Sequence, residues 1–243
     1  MTINYAHRGA GGYCPENTMA SFKRAIELGC DAIETDVQMT KDGALILMHD
    51  EMVNRTTSGA GLVKDHSFEE IRKLDAGSWF AREYQGEKVP TVEELLELAN
   101  ENNIIINFEI KTGIIRYEGI EEKLIETINK YNMQDKVILS SFNHYSLKLC
   151  KEIDKNIKTG ILYTANLYRP YDYAKTVDAD AIHPYYYTIN AEVVKEARAN
   201  GIMINPYTVD DINCMKYFVG IGIDGIITNY PDKLKKVIGV LCI

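Results

Sequence analysis

The sequence has few of the features that mark secreted, zinc-binding or membrane-spanning proteins. Its five cysteines are odd in number and include no Cys-x-x-Cys pair, so neither a disulfide framework nor a zinc site is indicated. We interpret them as reduced thiols, at the scattered positions Cys14, Cys30, Cys150, Cys214 and Cys242. No apolar run reaches the length of a membrane span, and we therefore expect no stable membrane insertion.

An excess of basic residues is also missing. The 35 Asp and Glu residues outnumber the 27 Lys and Arg residues, which gives a net charge of −8. Nucleic acids and anionic membranes are bound through basic faces, so we expect neither as a partner, and any phosphate needs a local cluster of positive charge. The first five residues lack the basic segment and apolar run of a secretory signal, which predicts a cytoplasmic location.

Proline-rich and glycine/serine-rich linkers are missing as well, so the 243 residues are expected to form one domain, residues 1–243. The chain alternates between apolar, β-branched runs and segments with helical spacing, the pattern of βα units around a parallel sheet. Most of these runs are continuously apolar, as is typical of strands covered on both faces. The eight candidate strands are residues 3–7, 31–37, 104–110, 137–142, 159–163, 181–184, 202–207 and 225–228.

Capping residues and apolar spacing mark helices between these strands. Thr91 and Glu94 have the spacing of a capping box, Asn143 and Asn190 are candidate N-caps, and Pro231 is placed in the first turn of a last helix. Further helices are predicted over residues 17–28, 120–131 and 169–177. The last of these is the weakest, because its proline could equally begin a loop.

Eight strands with interleaved helices predict an α/β fold, the (β/α)8 TIM barrel. Residues 41–90 do not fit the repeat, because they are too long for a loop in a compact barrel. Within them, residues 44–48 could form an extra strand and residues 68–74 a short helix. We therefore expect a small inserted lobe after strand two, at about residues 50–90, over the mouth of the barrel.

Three carboxylates follow apolar runs that should be buried. Glu34 and Asp36 are two residues apart on the second strand and so point to the same side, and Glu109 and Lys111 likewise share a side of the third. Buried carboxylates cannot all stay ionised without a cation, and an all-oxygen set suits Mg²⁺ or Ca²⁺ better than zinc. The sequence therefore predicts a metal site, the alternative being that the three residues only pair with Arg8 and Lys111.

Two histidines and two cations stand at the same strand ends. His7 ends the first strand and His49 follows the apolar run of residues 44–48, so both could serve as proton carriers near neutral pH. Arg8 and Lys111 are candidates for binding phosphate oxygens. His66 and His144 are interpreted as structural or exposed.

Aromatic residues at the other strand ends could line a pocket for the organic part of a substrate, although packing explains them equally well. Among them, Phe142 and Tyr207 are our candidates for substrate binding. The full set comprises residues 141–143, Tyr163, residues 183–187, residues 207–208 and residues 228–230.

These residues make the chain similar to the glycerophosphodiester phosphodiesterase family in its bacterial, barrel-only form. The matching motifs cover almost the whole chain in the right order, which makes coincidence a poor explanation. They are His7-Arg8-Gly9, Pro15-Glu16-Asn17-Thr18, Glu34-x-Asp36, Asp42-Gly43, His49-Asp50, Arg55-Thr56-Thr57, Asp75-Ala76-Gly77-Ser78-Trp79, Val89-Pro90-Thr91, Glu109-Ile110-Lys111, Ser141-Phe142 and residues 224–232.

The resemblance implies a metal-dependent hydrolase that cuts glycerophosphodiesters into an alcohol and sn-glycerol 3-phosphate. It implies one divalent cation, Mg²⁺ or Ca²⁺, and assigns roles to seven residues. These are Glu34, Asp36 and Glu109 as metal ligands, His7 and His49 as the acid/base pair, and Arg8 and Lys111 as phosphate binders. Tyr207 and Phe142 are further substrate-binding candidates because of their place at strand ends. Which histidine is the acid stays open, and so does attack by water against attack by the substrate's own hydroxyl.

Tyr207 departs from the family pattern, because the family usually has a tryptophan there, and the preferred alcohol is therefore open. Alternative functions are a lysophospholipase D, a phospholipase of the same barrel type that releases a cyclic phosphate, and a barrel that binds a phosphorylated ligand without catalysis. The expected partner is a small-molecule glycerophosphodiester, and the sequence leaves room for a homodimer. Gly9 is expected to let the backbone turn close to a bound phosphate.

Overall fold

The computed structural model describes residues 2–241; Met1, Cys242 and Ile243 lie outside the described residues, and with them the predicted thiol of Cys242. Eight parallel strands and one antiparallel strand form a single sheet. The strands are β1 (Ile3–His7), β2 (Ala32–Met39), β3 (Leu45–Leu47), β4 (Ile105–Ile110), β5 (Val137–Ser141), β6 (Lys158–Tyr163), β7 (Ala181–Pro184), β8 (Met203–Ile204) and β9 (Gly225–Thr228).

The parallel strands follow the order β8-β7-β6-β5-β4-β2-β1-β9, and β3 pairs antiparallel with β2. Two backbone hydrogen bonds bring the first and last strands of this order together: Ile227 N donates to Pro206 O at 3.0 Å, and Val209 N donates to Ile227 O at 2.9 Å. The sheet is thereby a nearly closed barrel surrounded by helices, and the predicted TIM barrel is confirmed.

Helices follow every parallel strand in the described part of the chain. They are α1 (Met19–Glu27), α2 (Phe68–Lys73), α3 (Val92–Asn102), α4 (Ile120–Lys130), α5 (His144–Ile153), α6 (Pro170–Thr176), α7 (Ala191–Ala199), α8 (Ile212–Gly220) and α9 (Pro231–Leu241). The weakly predicted helix over residues 169–177 is therefore a helix, which begins at Pro170. No helix within residues 2–241 is both long and apolar enough to cross a bilayer.

The helix starts agree with the sequence at four of five residues, one of which is Pro231, the first residue of α9. Thr91 and Glu94 form the predicted capping box of α3, and Asn190 caps α7. Asn143 stands at the predicted N-cap position of α5, but its side chain donates to Thr112 and makes no capping hydrogen bond.

The first helix begins later than residue 17, because Thr18 is its N-cap. The Asn17 side chain lies inside the protein: its Nδ2 donates to Asp36 Oδ2 at 2.9 Å, and its Oδ1 accepts from Thr35 Oγ1 at 2.7 Å. Asn17 therefore supports the acidic cluster instead of the helix.

Each strand turns one face toward the helices and the other into the barrel, as its alternating side chains require. The outward face packs into two large apolar clusters, one around β2, β4 and β5 and one around β6 to β9. A smaller cluster that contains Tyr5, Ala32 and Ile227 lies in the interior. Burial on both faces explains why the strands read as continuous apolar runs.

Residues 41–90 leave the repeat between β2 and α3. They contain β3, α2 and two 3₁₀ turns, and seven of their side chains form a separate buried cluster: Ile46, Met48, Val53, Val63, Ile71, Ala76 and Val89. Arg72 ties this cluster to the barrel, because its guanidinium bonds both oxygens of Glu94 in α3 at 3.0 Å. The division of residues 1–243 into one domain with an insertion at about 50–90 stays a prediction.

Candidate active site

The barrel brings the sequence-predicted side chains to the carboxyl ends of β1, β2 and β4. In the sheet register His7 pairs with Glu34, and Asp36 pairs with Glu109. Oxygens of Glu34, Asp36 and Glu109 all lie within 4.8 Å of one another, and the three residues are buried. This is the end of a parallel barrel where loops leave room for a ligand.

The negative charge of each carboxylate makes ionisation of the other two less favourable. Burial raises the pKa of Glu34 well above its usual range, and the charges of Asp36 and Glu109 act in the same direction. The pKa of Glu109 is raised by burial and by Asp36. Burial also opposes the charge of Asp36, but Arg8 and Lys111 outweigh it and lower the pKa of Asp36 to about 2.

Only two cations contact these three carboxylates among the described residues. Arg8 Nε lies 3.5 Å from Asp36 Oδ2, and Lys111 Nζ lies 2.8 Å from Glu109 Oε1 and 3.7 Å from Asp36 Oδ1. Asp36 Oδ1 makes no hydrogen bond within the described chain. The pairing that the sequence left as an alternative therefore exists, yet it leaves negative charge and a free oxygen that fit a divalent cation.

His7 is held by a neutral partner. Its Nδ1 lies 2.8 Å from Asn229 Oδ1, and Asn229 is fixed in turn because its Nδ2 donates to Asp210 Oδ2 at 2.7 Å. Its Nε2 lies 3.9 Å from Glu34 Oε2. Burial and the neighbouring charge of Arg8 lower the pKa of His7 to about 4, so the ring is neutral at pH 7.

His49 has a charged partner instead. Its Nδ1 lies 2.7 Å from Asp50 Oδ1, in a turn after β3 that is more open to solvent than His7. The Gln38 amide of β2 secures this turn, because its Nε2 donates to the carbonyls of residues 48, 49 and 50. Tyr117 holds Gln38 through a hydrogen bond of 2.7 Å.

A chain of alternating charges connects the two sides of the site. Arg55 bonds both oxygens of Asp50, at 2.7 and 2.9 Å, and both oxygens of Glu16, at 2.9 and 2.7 Å. Glu16 also accepts from Arg8 at 2.7 Å. Arg8 and His49 are therefore positioned by one network, in which Arg55 comes from the 41–90 segment.

The turn after β1 aims Arg8 at the carboxylates. Arg8 has a left-handed backbone with φ of 52°, its N donates to Glu34 Oε2 at 3.0 Å, and its carbonyl accepts from Ser21. Gly9 has φ of 81°, and a Cβ there would lie 2.0 Å from the Ser21 side chain. The structure thus gives Gly9 a different reason from the expected one: it lets α1 pack closely against the turn.

The two aromatic candidates lie together beside the acidic cluster. The rings of Phe142 and Tyr207 are 6.0 Å apart and nearly perpendicular, at 88°. Phe142 is 44% exposed, whereas the Tyr207 hydroxyl donates to Tyr163 O. His183, a further candidate for the pocket wall, is fully buried inside the barrel, so for that residue the pocket interpretation is wrong.

The sequence did not predict which residues orient the histidines. These residues are Glu16, Asp50, Arg55, Asp210 and Asn229. A carboxylate next to His49 was a visible signal, since a histidine near a carboxylate is a recurrent catalytic pair. Asn229 and Asp210 had no such signal, because they meet His7 only when the barrel closes.

The remaining histidines lie outside this site. His66 Nε2 is 3.0 Å from the carbonyl of Ala60, and His144 lies between Tyr173 and the carbonyl of Leu162. These contacts agree with the structural interpretation that the sequence favoured.

The chain matches known proteins over nearly its full length. A model described as the glycerophosphoryl diester phosphodiesterase family matches residues 7–233. A glycerophosphodiester phosphodiesterase of Caldanaerobacter subterraneus is 48% identical over 96% of each chain, and one of Bacillus altitudinis is 41% identical over 98% of each. The structure of an Oleispira antarctica phosphodiesterase in complex with the product sn-glycerol-3-phosphate superposes with a TM-score of 0.88, at 29% identity, over 98% of this chain and 97% of that one.

Proposed function

The chain belongs to the glycerophosphoryl diester phosphodiesterase family, and from this membership we propose that it hydrolyses glycerophosphodiesters to an alcohol and sn-glycerol 3-phosphate. It is thus a phosphoric diester hydrolase, and its site uses one divalent cation and two histidines. The observation that carries the proposal is the buried cluster of Glu34, Asp36 and Glu109, which is flanked by two cations and two imidazoles.

Glu34, Asp36 and Glu109 are the residues that would hold the cation. Their oxygens form a compact set, and hard oxygen ligands suit Mg²⁺ or Ca²⁺. When bound, such an ion supplies positive charge that stabilises the phosphate oxygens and the charge of the transition state. Arg8 and Lys111 stand beside the same cluster and neutralise further phosphate charge.

The hydrogen bonds of His7 favour the role of general base. Because Asn229 Nδ2 donates to Asp210, the oxygen of Asn229 faces His7, and His7 Nδ1 must donate to it. The lone pair is then on Nε2, which faces the acidic cluster. A neutral imidazole with a free lone pair can take the proton of the attacking hydroxyl or water.

The contact of His49 with Asp50 favours the role of general acid. The carboxylate accepts from Nδ1 at 2.7 Å, which stabilises the ring when it also carries a proton on Nε2. His49 can then give that proton to the leaving alkoxide. This division of roles is our proposal for the question that the sequence left open.

The test of these roles is a pair of alanine variants. His7→Ala and His49→Ala should each lower kcat for glycerophosphocholine by at least about 100-fold, because each removes one proton carrier. Divalent-cation binding, followed by isothermal titration calorimetry, should remain largely intact. His66→Ala, outside the site, is the matched control and should keep full activity. Near-parental turnover by either site variant with metal present would refute the role of that histidine.

The reaction products distinguish the proposed hydrolase from the alternative functions. A hydrolase yields a phosphate monoester, whereas the cyclising phospholipase yields a persistent cyclic phosphate, and the two differ in their phosphorus NMR signals. A lysophospholipase D would act on lysophospholipids in the same assay, and a binding protein would leave every diester intact.

A further inference from the structure

A groove of about 290 Å³ leads away from the acidic cluster along the loop after β4. Glu109 and Lys111 form its inner end. Farther out it is lined by Glu51, Ile114 and Phe142. A ligand whose phosphate lies at Lys111 would therefore extend into this groove.

Glu51 gives the groove a negative charge. Lys111, the cation of the same groove, is already paired with Glu109 and Asp36. The Glu51 carboxylate takes part in none of the ion pairs or side-chain hydrogen bonds within residues 2–241, and its backbone carbonyl accepts from Val63 N. Because the residue is half-buried, its charge is only partly screened by water.

Phe142 and Ile114 give the same groove an apolar surface. Phe142 is 44% exposed and Ile114 is 80% exposed, although both line the groove. An aromatic ring and a nearby carboxylate are the two groups that proteins use to bind ammonium ions, through the negative ring face and through direct charge attraction. A neutral polyol could donate hydroxyl hydrogen bonds to Glu51 but would bring no positive charge to pair with it.

We propose that this groove holds the alcohol half of the substrate and selects a small alcohol that carries an ammonium group, such as choline or ethanolamine. Glu51 is then a specificity-determining residue, and Phe142 provides the apolar wall. This inference rests on the proposed phosphodiesterase function and deepens it, since it names the class of alcohol.

The experiment compares kcat/KM for three diesters: glycerophosphocholine and glycerophosphoethanolamine, which are cationic at the alcohol, and glycerophosphoglycerol, which is neutral there. In Glu51→Gln the preference for the two cationic substrates should fall by about 3- to 10-fold. The change should appear mainly in KM, and the neutral substrate should be turned over as before. Glu51→Lys should lower the preference further.

The control is Glu118→Gln, an exposed carboxylate in another groove, which should leave the preference unchanged. An unchanged preference in Glu51→Gln, with all three diesters turned over, would overturn the assignment of Glu51 and leave the proposed function standing. If the unaltered protein turned over none of the three diesters, both the proposed function and this inference would be wrong.

Discussion

The two histidines of the site differ in the side chain that each imidazole contacts. His7 and His49 both end strands or follow them, yet His7 contacts a neutral amide and His49 contacts a carboxylate. His7 is also buried beside Arg8, which disfavours a second positive charge. Their different roles in the proposed reaction follow from these contacts.

Asn229, the partner of His7, can be replaced by aspartate, which has nearly the same shape. Asn229→Asp places a carboxylate 2.8 Å from His7 Nδ1, so the protonated ring gains a charged partner and its pKa should rise above the value of about 4. Nitrogen-15 NMR of the imidazole should show His7 neutral between pH 5 and 8 in the parent, with a higher midpoint in the variant. A midpoint near 6.5 in the parent would contradict this account.

At the residue scale, the sequence predicted the charged side chains of the site but not the side chains that orient them. The carboxylate cluster followed from strand alternation, because Glu34 and Asp36 must share a face. The network through Arg55 did not, since Glu16 and Asp50 are 34 residues apart in the sequence and meet only in the folded protein.

Among the elements, β8 shows why a boundary can be mispredicted. The apolar run over residues 202–207 predicted six residues of strand, but only Met203 and Ile204 are strand. Pro206 lacks an N–H on the side that faces β9, and its carbonyl accepts from Ile227 N to close the barrel. β1 and β9 contain no proline and the proline of β7 is its last residue, and the boundaries of all three match the predicted ones.

The start of α3 is stabilised by a local motif that the sequence predicted correctly. Thr91 Oγ1 accepts from Glu94 N at 3.2 Å, and Glu94 accepts from Thr91 N at 2.8 Å. Thr91→Ala should lower the free energy of unfolding by about 1 kcal/mol, because one helix N–H loses its partner. Urea denaturation measures this change, and kcat should stay at the parental value. Thr91→Ser, which keeps the hydroxyl, should recover most of the stability.

On the scale of the whole molecule, the barrel is negatively charged overall but carries two cations where they face the carboxylates. Its interior also holds polar groups that a purely apolar core would lack. His183 is fully buried, and its Nε2 accepts from Asn205 Nδ2 at 3.1 Å. A Cβ at Gly160 would lie 2.5 Å from this ring, so a glycine there makes room for the histidine.

His183 should make the protein sensitive to acid. Burial lowers its pKa from 6.5 to about 3, so the folded protein keeps the ring neutral while the unfolded chain protonates it. His183 therefore leaves the free energy of unfolding unchanged above about pH 6.5. Below that pH the free energy of unfolding falls as the pH drops toward 3, by about 2 kcal/mol at pH 5. His183→Gln should lose less stability than the parent between pH 7 and 5 in urea denaturation. Equal losses in the two proteins would contradict this prediction.

The overall fold was predictable because most strands are buried on both faces and read as continuous apolar runs, and because most helices have a spacing or capping signal of their own. The polar interior of the barrel was not predictable, because His183 and Asn205 belong to two separate apolar runs and the sequence does not show that they meet. A cytoplasmic location and a homodimer also stay predictions.

The central claim is that the buried carboxylate cluster supports metal-dependent cleavage of a glycerophosphodiester. Its most direct test is phosphorus NMR of glycerophosphocholine incubated with the metal-stripped protein, first in chelator and then with excess Mg²⁺ or Ca²⁺. We predict no product in chelator and accumulation of sn-glycerol 3-phosphate after the metal is restored. Undiminished turnover in chelator, or an intact diester with both metals, would contradict it.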